Sequence, residues 1–455
     1  MKKFRSVVAM LLAVLMVAAL FAACGNEPAA PATEDTGMVN TGDTFTVYVW
    51  NEEFKGFFEN YYWTEDKAAE FDNIAVEFVV NTDQGGVYQT KLDNALANGE
   101  AVDLFLAEAD YITKYVQSAY TMDVADLGIT ADDLAGCYAY TLEIGTDAKG
   151  AVKAVSWQAC PGAMTYRTDW TEEYFGIAET RDAAQDEAVQ ALVSDWDKYI
   201  ETASAFAAKD KELGNGYYFV AGLGDVWYAY KAGRTAAWVD AEYNLGLNDY
   251  ITGYFDIAKA IQESGAIPAN GGYGQWGTEW AAGYETTGDV FSYLSCTWHI
   301  PFCMNTGLST ETFWRAITGP VGFFWGGTWM LASVYCDNMD LAKDVMYTWS
   351  CDADFLTDWA VDSGNFANQQ AKMEELAADD SITMDFLCGQ NFYAVFAEPA
   401  AKVEMKYLSK FDRDVEDLYK AVAQDYATGK YESKDAAVEA FKTELSATLP
   451  VVNVG

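Results

Sequence analysis

TFTVYVW, Thr44 to Trp50, opens the folded part of the chain, and its reading, together with IAVEFVV at 74–80 and DLFLA at 103–107, decides the fold class. β-Branched and aromatic residues at this density mark buried strands. Polar Asn51, Glu52 and Glu53 end the first strand, and Glu108, Ala109 and Asp110 end the third. Between the second and third, Tyr88 to Ala97 carries the spacing of an amphipathic helix. Strands alternating with helices predict a parallel α/β sheet. Open sheets of that kind place ligands just beyond the carboxyl ends of their strands, where Glu108 and Asp110 stand. Capping of the following helix is the competing reading for Asp110.

Outward from that core, Asp147 to Gly150 reads as a turn between two short strands, the second running from Val152 to Trp157. Ala183–Ala207, Asp249–Glu263, Met339–Ser350 and Val415–Leu445 read as helices, the third capped by Asp337 or Asn338. Gly271, Gly272, Gly274 and Gly277 form a loop without phosphate-binding spacing. At the other end, Lys2, Lys3 and Arg5 precede an apolar run from Val7 to Phe21, the pattern of a signal peptide over residues 1–23. The run is shorter than the roughly 20 residues of a membrane span. It ends in Leu20, Phe21, Ala22, Ala23, Cys24 and Gly25, which resembles a lipobox; the expectation is a lipid on Cys24, with cleavage near Ala23 and a bare cysteine as the alternative. Residues 24–43, rich in Pro, Ala, Thr and Gly, read as a disordered tether. About four hundred residues remain, more than one ordinary core accommodates, so two lobes are expected.

The 69 acidic against 28 basic residues give a formal charge of -41, which argues against nucleic acid as a partner. Beyond Cys24 there are seven cysteines, at 137, 160, 296, 303, 336, 351 and 388, an odd number with no CxxC pair. Buried reduced thiols are expected, with one or two bridges as the alternative. His299 is the single histidine. It rules out a histidine metal cluster, and a structural role is expected for it rather than a place in a Ser-His-Asp or Cys-His site. No metal or other cofactor is called for.

The strongest compositional signal is aromatic: 15 Trp, 29 Tyr and 25 Phe. Trp50, Trp276, Trp280, Trp298, Trp325 and Trp329 stand among glycines and polar residues rather than in apolar runs. Aromatic platforms cover the C–H faces of a sugar ring while carboxylates and amides bond its hydroxyl edges, so Trp with Asp and Glu is the set a sugar cleft needs. For any single tryptophan, core packing is the competing reading. Two suitably spaced carboxylates also suffice for glycoside hydrolysis, which keeps a surface glycosidase as the alternative to a binding protein; an adhesive surface protein is a third.

TVYVWNEEF at 46–54, DLFLAEADYITKYV at 103–116, VSWQACPGAMTYRTD at 155–169, YYFVAGLGDVW at 217–227 and FFWGGTWMLAS at 323–333, in this order behind a lipobox, resemble the solute-binding proteins of carbohydrate ABC importers. The resemblance is to the family that includes maltose-binding protein, and within it to a lipoprotein branch from Firmicutes. It implies a type II periplasmic-binding-protein fold: two α/β lobes joined by hinge strands, with residues 44–157 and 291–325 in lobe 1 and 158–290 and 326–449 in lobe 2. Crossings would fall near Val155–Ala159, Phe291–Pro301 and Phe323–Trp329. It implies ligand contacts from Asn51, Glu52, Glu108, Asp110, Asp225, Glu279, Trp298, Trp325 and Trp329. It further implies a monomer without catalytic activity, anchored through Cys24 on the extracellular face of the cytoplasmic membrane, with a carbohydrate and the importer's permease subunits as partners. The sequence departs from the closer branch at Gly224, where a second acid would stand beside Asp225, and at Cys160, where Thr is common.

Overall fold

The computed structural model describes residues 38–305, 312–405 and 407–455. The signal peptide, most of the tether and Cys24 lie outside them. Ten strands occur among the described residues: β1 (Thr44–Val49), β2 (Ala75–Val80), β3 (Leu104–Glu108), β4 (Ala154–Ser156), β5 (Pro161–Arg167), β6 (Tyr218–Val220), β7 (Val290–Cys296), β8 (Trp314–Ile317), β9 (Phe323–Phe324) and β10 (Thr328–Ala332).

They form two sheets. The first has the order β2-β1-β3-β10-β4, with β1 parallel to β2 and β3 and with β10 antiparallel to its neighbours. The second runs β6-β7-β5-β8, with β9 added beside β5. Helices cover both, as the alternation of strand and helix patterns requires. Each sheet is the core of one lobe. β5 and β7 are buried at every residue, which is why neither shows a polar-apolar alternation.

The strand pairing corrects the expected lobe boundaries. β7, β8 and β9 all pair within the second sheet, so residues 291–325 belong to lobe 2 and the chain does not return to lobe 1 at Phe291–Pro301. The return comes at Trp325–Gly327, after which β10 inserts between β3 and β4. The helices Met339–Thr348 and Ala353–Ser363 then pack on lobe 1, through Tyr62–Asp344 and through Trp349 and Trp359 against Phe57. The expected boundary followed from the family resemblance, and the apolar run at 290–296 carries no mark of the sheet it joins by which to correct it.

Three segments therefore connect the lobes: 157–160, 325–327 and 364–369. They lie side by side. Trp325 N–H donates to the Cys160 carbonyl at 3.3 Å, Ala159 N–H to Phe366 at 3.2 Å and Asn368 N–H to Trp157 at 2.9 Å. Cys160 has φ 32°, and Gly326 and Gly327 have φ 74° and 100°. The two glycines accept that conformation freely and let the second segment pass close to Cys160 Sγ.

Smaller differences have local causes. The expected helix 183–207 is two helices, Ala183–Leu192 and Trp196–Leu213, because Asp195 caps the second by accepting from Lys198 N–H. The C-terminal helix is likewise two, Asp412–Ala427 and Lys434–Thr448, which meet through Tyr419 and Phe441, and the first packs on lobe 2 through Tyr419 against Trp227. Asn338 starts the Met339 helix without a side-chain cap; its amide instead donates to the Thr44 carbonyl and Asp103. No disulfide joins any of the seven described cysteines, five of which are buried. His299 is buried, stacked on Trp280 at 4.6 Å, and burial pushes its imidazole down to about 3. It is a neutral core residue.

Candidate functional site

A cleft of about 680 Å³ lies between the sheets, walled by the carboxyl ends of β1, β2 and β3 on one side and by lobe 2 on the other. Trp50, Asn51 and Glu53 follow β1; Thr82, Asp83 and Gln84 follow β2; Glu108 and Asp110 end or follow β3. Gln158, Trp325, Gly326 and Gly327 come from the hinge segments and Thr328 from the start of β10. Lobe 2 supplies Tyr228, Gln275, Trp276, Trp298 and Phe302, and the Asp412–Ala427 helix supplies Arg413, Glu416, Asp417 and Lys420.

The aromatic wall is continuous. Tyr228 stacks on Trp325 at 4.5 Å, Trp325 meets the edge of Trp298 at 5.0 Å, and Trp298 stacks on Trp276 at 5.1 Å with the rings 8° apart. The Trp298 indole N–H also donates to the Trp325 carbonyl at 3.0 Å. Such a row presents apolar area with little freedom left in its side chains.

The charged groups are mostly paired, two of the pairs reaching across the cleft. Asp110 accepts from the Tyr228 hydroxyl at 2.9 Å and lies 3.6 Å from Lys231 Nζ. Lys231 also pairs with buried Glu416 at 3.0 Å, which holds Arg234 at 3.4 Å and accepts from the indoles of Trp227 and Trp238. Burial would raise the Asp110 carboxyl, but Lys231 and Lys420 outweigh it and hold the group below its ordinary value. Arg413 reaches Asp83 at 3.4 Å, and Lys420 pairs with Asp417 at 2.9 Å.

Two carboxyls lack such partners. Burial pushes Glu53 up to about 7. Burial, and then the neighbouring Asp110 charge, raises Glu108 well above the carboxylate range; its Oε2 accepts only the Asp110 backbone N–H, at 2.8 Å. Both are placed to exchange hydrogen bonds with a polar ligand. With the other acids balanced by Lys and Arg, the cleft suits a neutral molecule that has hydroxyl edges and apolar faces.

Residues 65–385 match a family model described as bacterial extracellular solute-binding protein. The chain belongs to that family. This binding protein shares its fold with an extracellular solute-binding protein of family 1 (TM-score 0.70, 18% identity, covering 89% of this chain and 99% of the other). It also resembles the ABC transporter associated binding protein from B. animalis subsp. lactis Bl-04, solved with beta-1,6-galactobiose (TM-score 0.65, 17% identity, 90% and 98% covered). The sugar-binding protein MalE from Xanthomonas citri is a third relative in structure (TM-score 0.67, 13% identity, 90% and 97% covered). No curated protein matches the chain in sequence. The two-sheet architecture of the binding protein is thus of the type II periplasmic-binding-protein kind.

Of the nine expected contacts, the cleft of the binding protein brings together Asn51, Glu108, Asp110, Trp298 and Trp325. Glu52 is exposed and pairs with Lys55 at 2.9 Å; the helix that begins at Glu53 turns Glu53 inward in its place. Asp225, 1% exposed, is not on the cleft surface: it accepts from Gln275 at 2.7 Å and from the Trp280 indole at 3.2 Å. Glu279 lies on the exposed side of a short helix whose Trp280 is buried. Trp329 is fully buried in β10 and donates to the Thr141 carbonyl at 3.0 Å. Sequence reasoning missed Glu53, Asp83, Gln84, Gln158, Tyr228 and the Asp412–Ala427 helix. The strand-end rule applied to β2 would have found Asp83, and the 413, 416, 417, 420 spacing is a polar helical stripe.

Proposed function

We propose that the chain captures a carbohydrate in this cleft and delivers it to an ABC importer, without turnover and as a monomer. The observation that carries the reading is the unbroken aromatic row Tyr228–Trp325–Trp298–Trp276 sharing one cleft with Glu53, Glu108 and the amides of Asn51, Gln84, Gln158 and Gln275. Ring faces and hydroxyl edges of a sugar have their complements there. A structural relative solved with beta-1,6-galactobiose supports the same ligand class. Asp110, the second carboxylate open to a hydrolase from sequence alone, is engaged by Tyr228 and Lys231, an arrangement that suits holding the lobes together better than activating water. The lobes close on the ligand about the three hinge segments, since contacts from both lobes exist together only in the closed form.

The test is a melting-temperature screen against mono- and oligosaccharides, followed by titration calorimetry. A ligand at 100 times its dissociation constant adds about 2.7 kcal/mol of stability. Absence of any shift across a broad panel would overturn the reading, and release of new reducing ends would replace it with hydrolysis.

The protein is held at the extracellular face of the cytoplasmic membrane by a lipid on Cys24, where permease subunits receive the sugar. Small residues before the cysteine and the short apolar run ahead of it support this. Cys24→Ser should abolish fatty-acid labelling; a variant still processed and labelled would refute the anchor.

A further inference from the structure

Trp276 has the highest exposure of any large apolar residue among the described residues, 61%, although it lines the cleft. It occupies the third position of the turn Gly274–Gly277, closed by Gly277 N–H donating to the Gly274 carbonyl at 3.0 Å, with φ 66°. Glycine or asparagine ordinarily fills that position, because a Cβ is strained there. The chain thus holds its bulkiest side chain in an unfavourable backbone conformation and leaves it facing water. Two neighbours fix it. Gln275 is tied to buried Asp225 at 2.7 Å, and one indole face lies flat on Trp298.

That stacking determines which indole a ligand reaches. Trp298 is 8% exposed, covered by Trp276 and met by Trp325, so it serves as backing. Trp276 touches buried Trp280 besides, at 5.8 Å with the rings tilted by 43°, and still leaves most of its surface to water. Strain retained at an exposed, rigidly backed aromatic points to a function for that surface.

Resting on the carbohydrate reading above, we propose that the exposed surface of Trp276 is an outer sugar subsite at the cleft mouth, so that the ligand is an oligosaccharide of at least two units rather than a monosaccharide. One unit occupies the inner cleft beside Trp325, Tyr228 and the Glu53 and Glu108 carboxyls, and the next stacks on Trp276. Asp225 and Trp298 are positioning residues for that platform.

Calorimetric titration of the full chain with galactose, glucose, beta-1,6-galactobiose, maltose and maltotriose, in parent, Trp276→Ala and Trp276→Phe, tests this. Trp276→Ala keeps the Cβ and its strain and loses the ring contacts with Trp298 and Trp280, so the ligand-free melting temperature should fall by no more than a few degrees and the variant should stay folded. It should weaken the oligosaccharide that the parent binds by at least about tenfold, within the range for loss of an aromatic anchor, and change any monosaccharide affinity by less than about twofold. Trp276→Phe should restore most of the loss, and iodide quenching of tryptophan emission should fall on oligosaccharide binding in the parent only. Equal affinity of Trp276→Ala and parent for the oligosaccharide, or equal losses for monosaccharide and oligosaccharide, would overturn the outer subsite while leaving carbohydrate capture standing. If no sugar of the panel or of the wider screen binds the parent, carbohydrate capture itself falls, and this subsite with it.

Discussion

Asp225→Asn exchanges a buried carboxylate for a carboxamide of the same shape and asks what the charge contributes. In the folded protein, burial raises this carboxyl from 3.8 to about 7, while the bonds from Gln275 and Trp280 work in the opposite direction. Above pH 4 the unfolded chain has released a proton that the folded chain keeps until about pH 7. Stability contributed by Asp225 is therefore present at acidic pH and is lost as pH rises through this window. A rise of that size corresponds to about 4 kcal/mol in all, of which about 3 kcal/mol falls between pH 5 and pH 8.5. Asparagine has no such titration. It keeps an acceptor for Gln275 and Trp280, but its amide N–H groups enter a site built for an acceptor, at a cost of about 1–3 kcal/mol. The variant should therefore be less stable than the parent at pH 5 and equal to it or more stable at pH 8.5. Urea unfolding of both proteins at the two pH values reads this directly. Parallel pH profiles for parent and variant would refute the assignment of a buried, proton-holding carboxyl at 225.

Glu416→Ala takes from part-buried Lys231 and Arg234 their shared partner, leaving them Asp110 and Asp412, and from two buried indoles their acceptor; it should destabilise the fold by about 1–3 kcal/mol, seen as a lower urea midpoint, and an unchanged midpoint would show the network to be hydrated. Trp329→Ala removes a fully buried indole from β10 and should cost about 3–5 kcal/mol in the same measurement, whereas a well-folded variant with weakened sugar binding would return Trp329 to the cleft. Asp110→Asn weakens the charge-assisted hydrogen bond from Tyr228, about 1.5–3 kcal/mol, and removes the 3.6 Å ion pair with Lys231, both of which join the lobes, and should enlarge the ligand-free radius of gyration in small-angle scattering. An unchanged radius would mean that these bonds do not hold the lobes together.

Much of lobe 1 was legible because its strands are contiguous runs of Val, Phe, Tyr and Leu whose parallel pairing follows from the intervening helix. The rule that ligands sit past the ends of such strands found Glu108 and Asp110 without help from the remainder of the chain. Lobe 2 was harder to read. VFSYLSC at 290–296 says strand, but which sheet it joins depends on partners more than a hundred residues away, such as Met164 and Thr165 in β5. Individual tryptophans were equally opaque: Trp329, Trp298 and Trp276 share Gly-rich or polar surroundings in sequence and are respectively core, backing and exposed face in space. Burial is set by tertiary neighbours, and only its average is written in local composition.

The three hydrogen-bonded hinge segments make the link between the lobes a ribbon rather than a thread. Neighbouring chains in such a ribbon are about 4.8 Å apart, so twisting one lobe against the other would shear the bonds between them, while folding the ribbon across its thin direction strains none. Swivelling is suppressed and opening is confined to one plane. A partner that touches both lobes at once therefore has a single angle to read, and in that angle the presence of a ligand can be reported at a distance from the cleft.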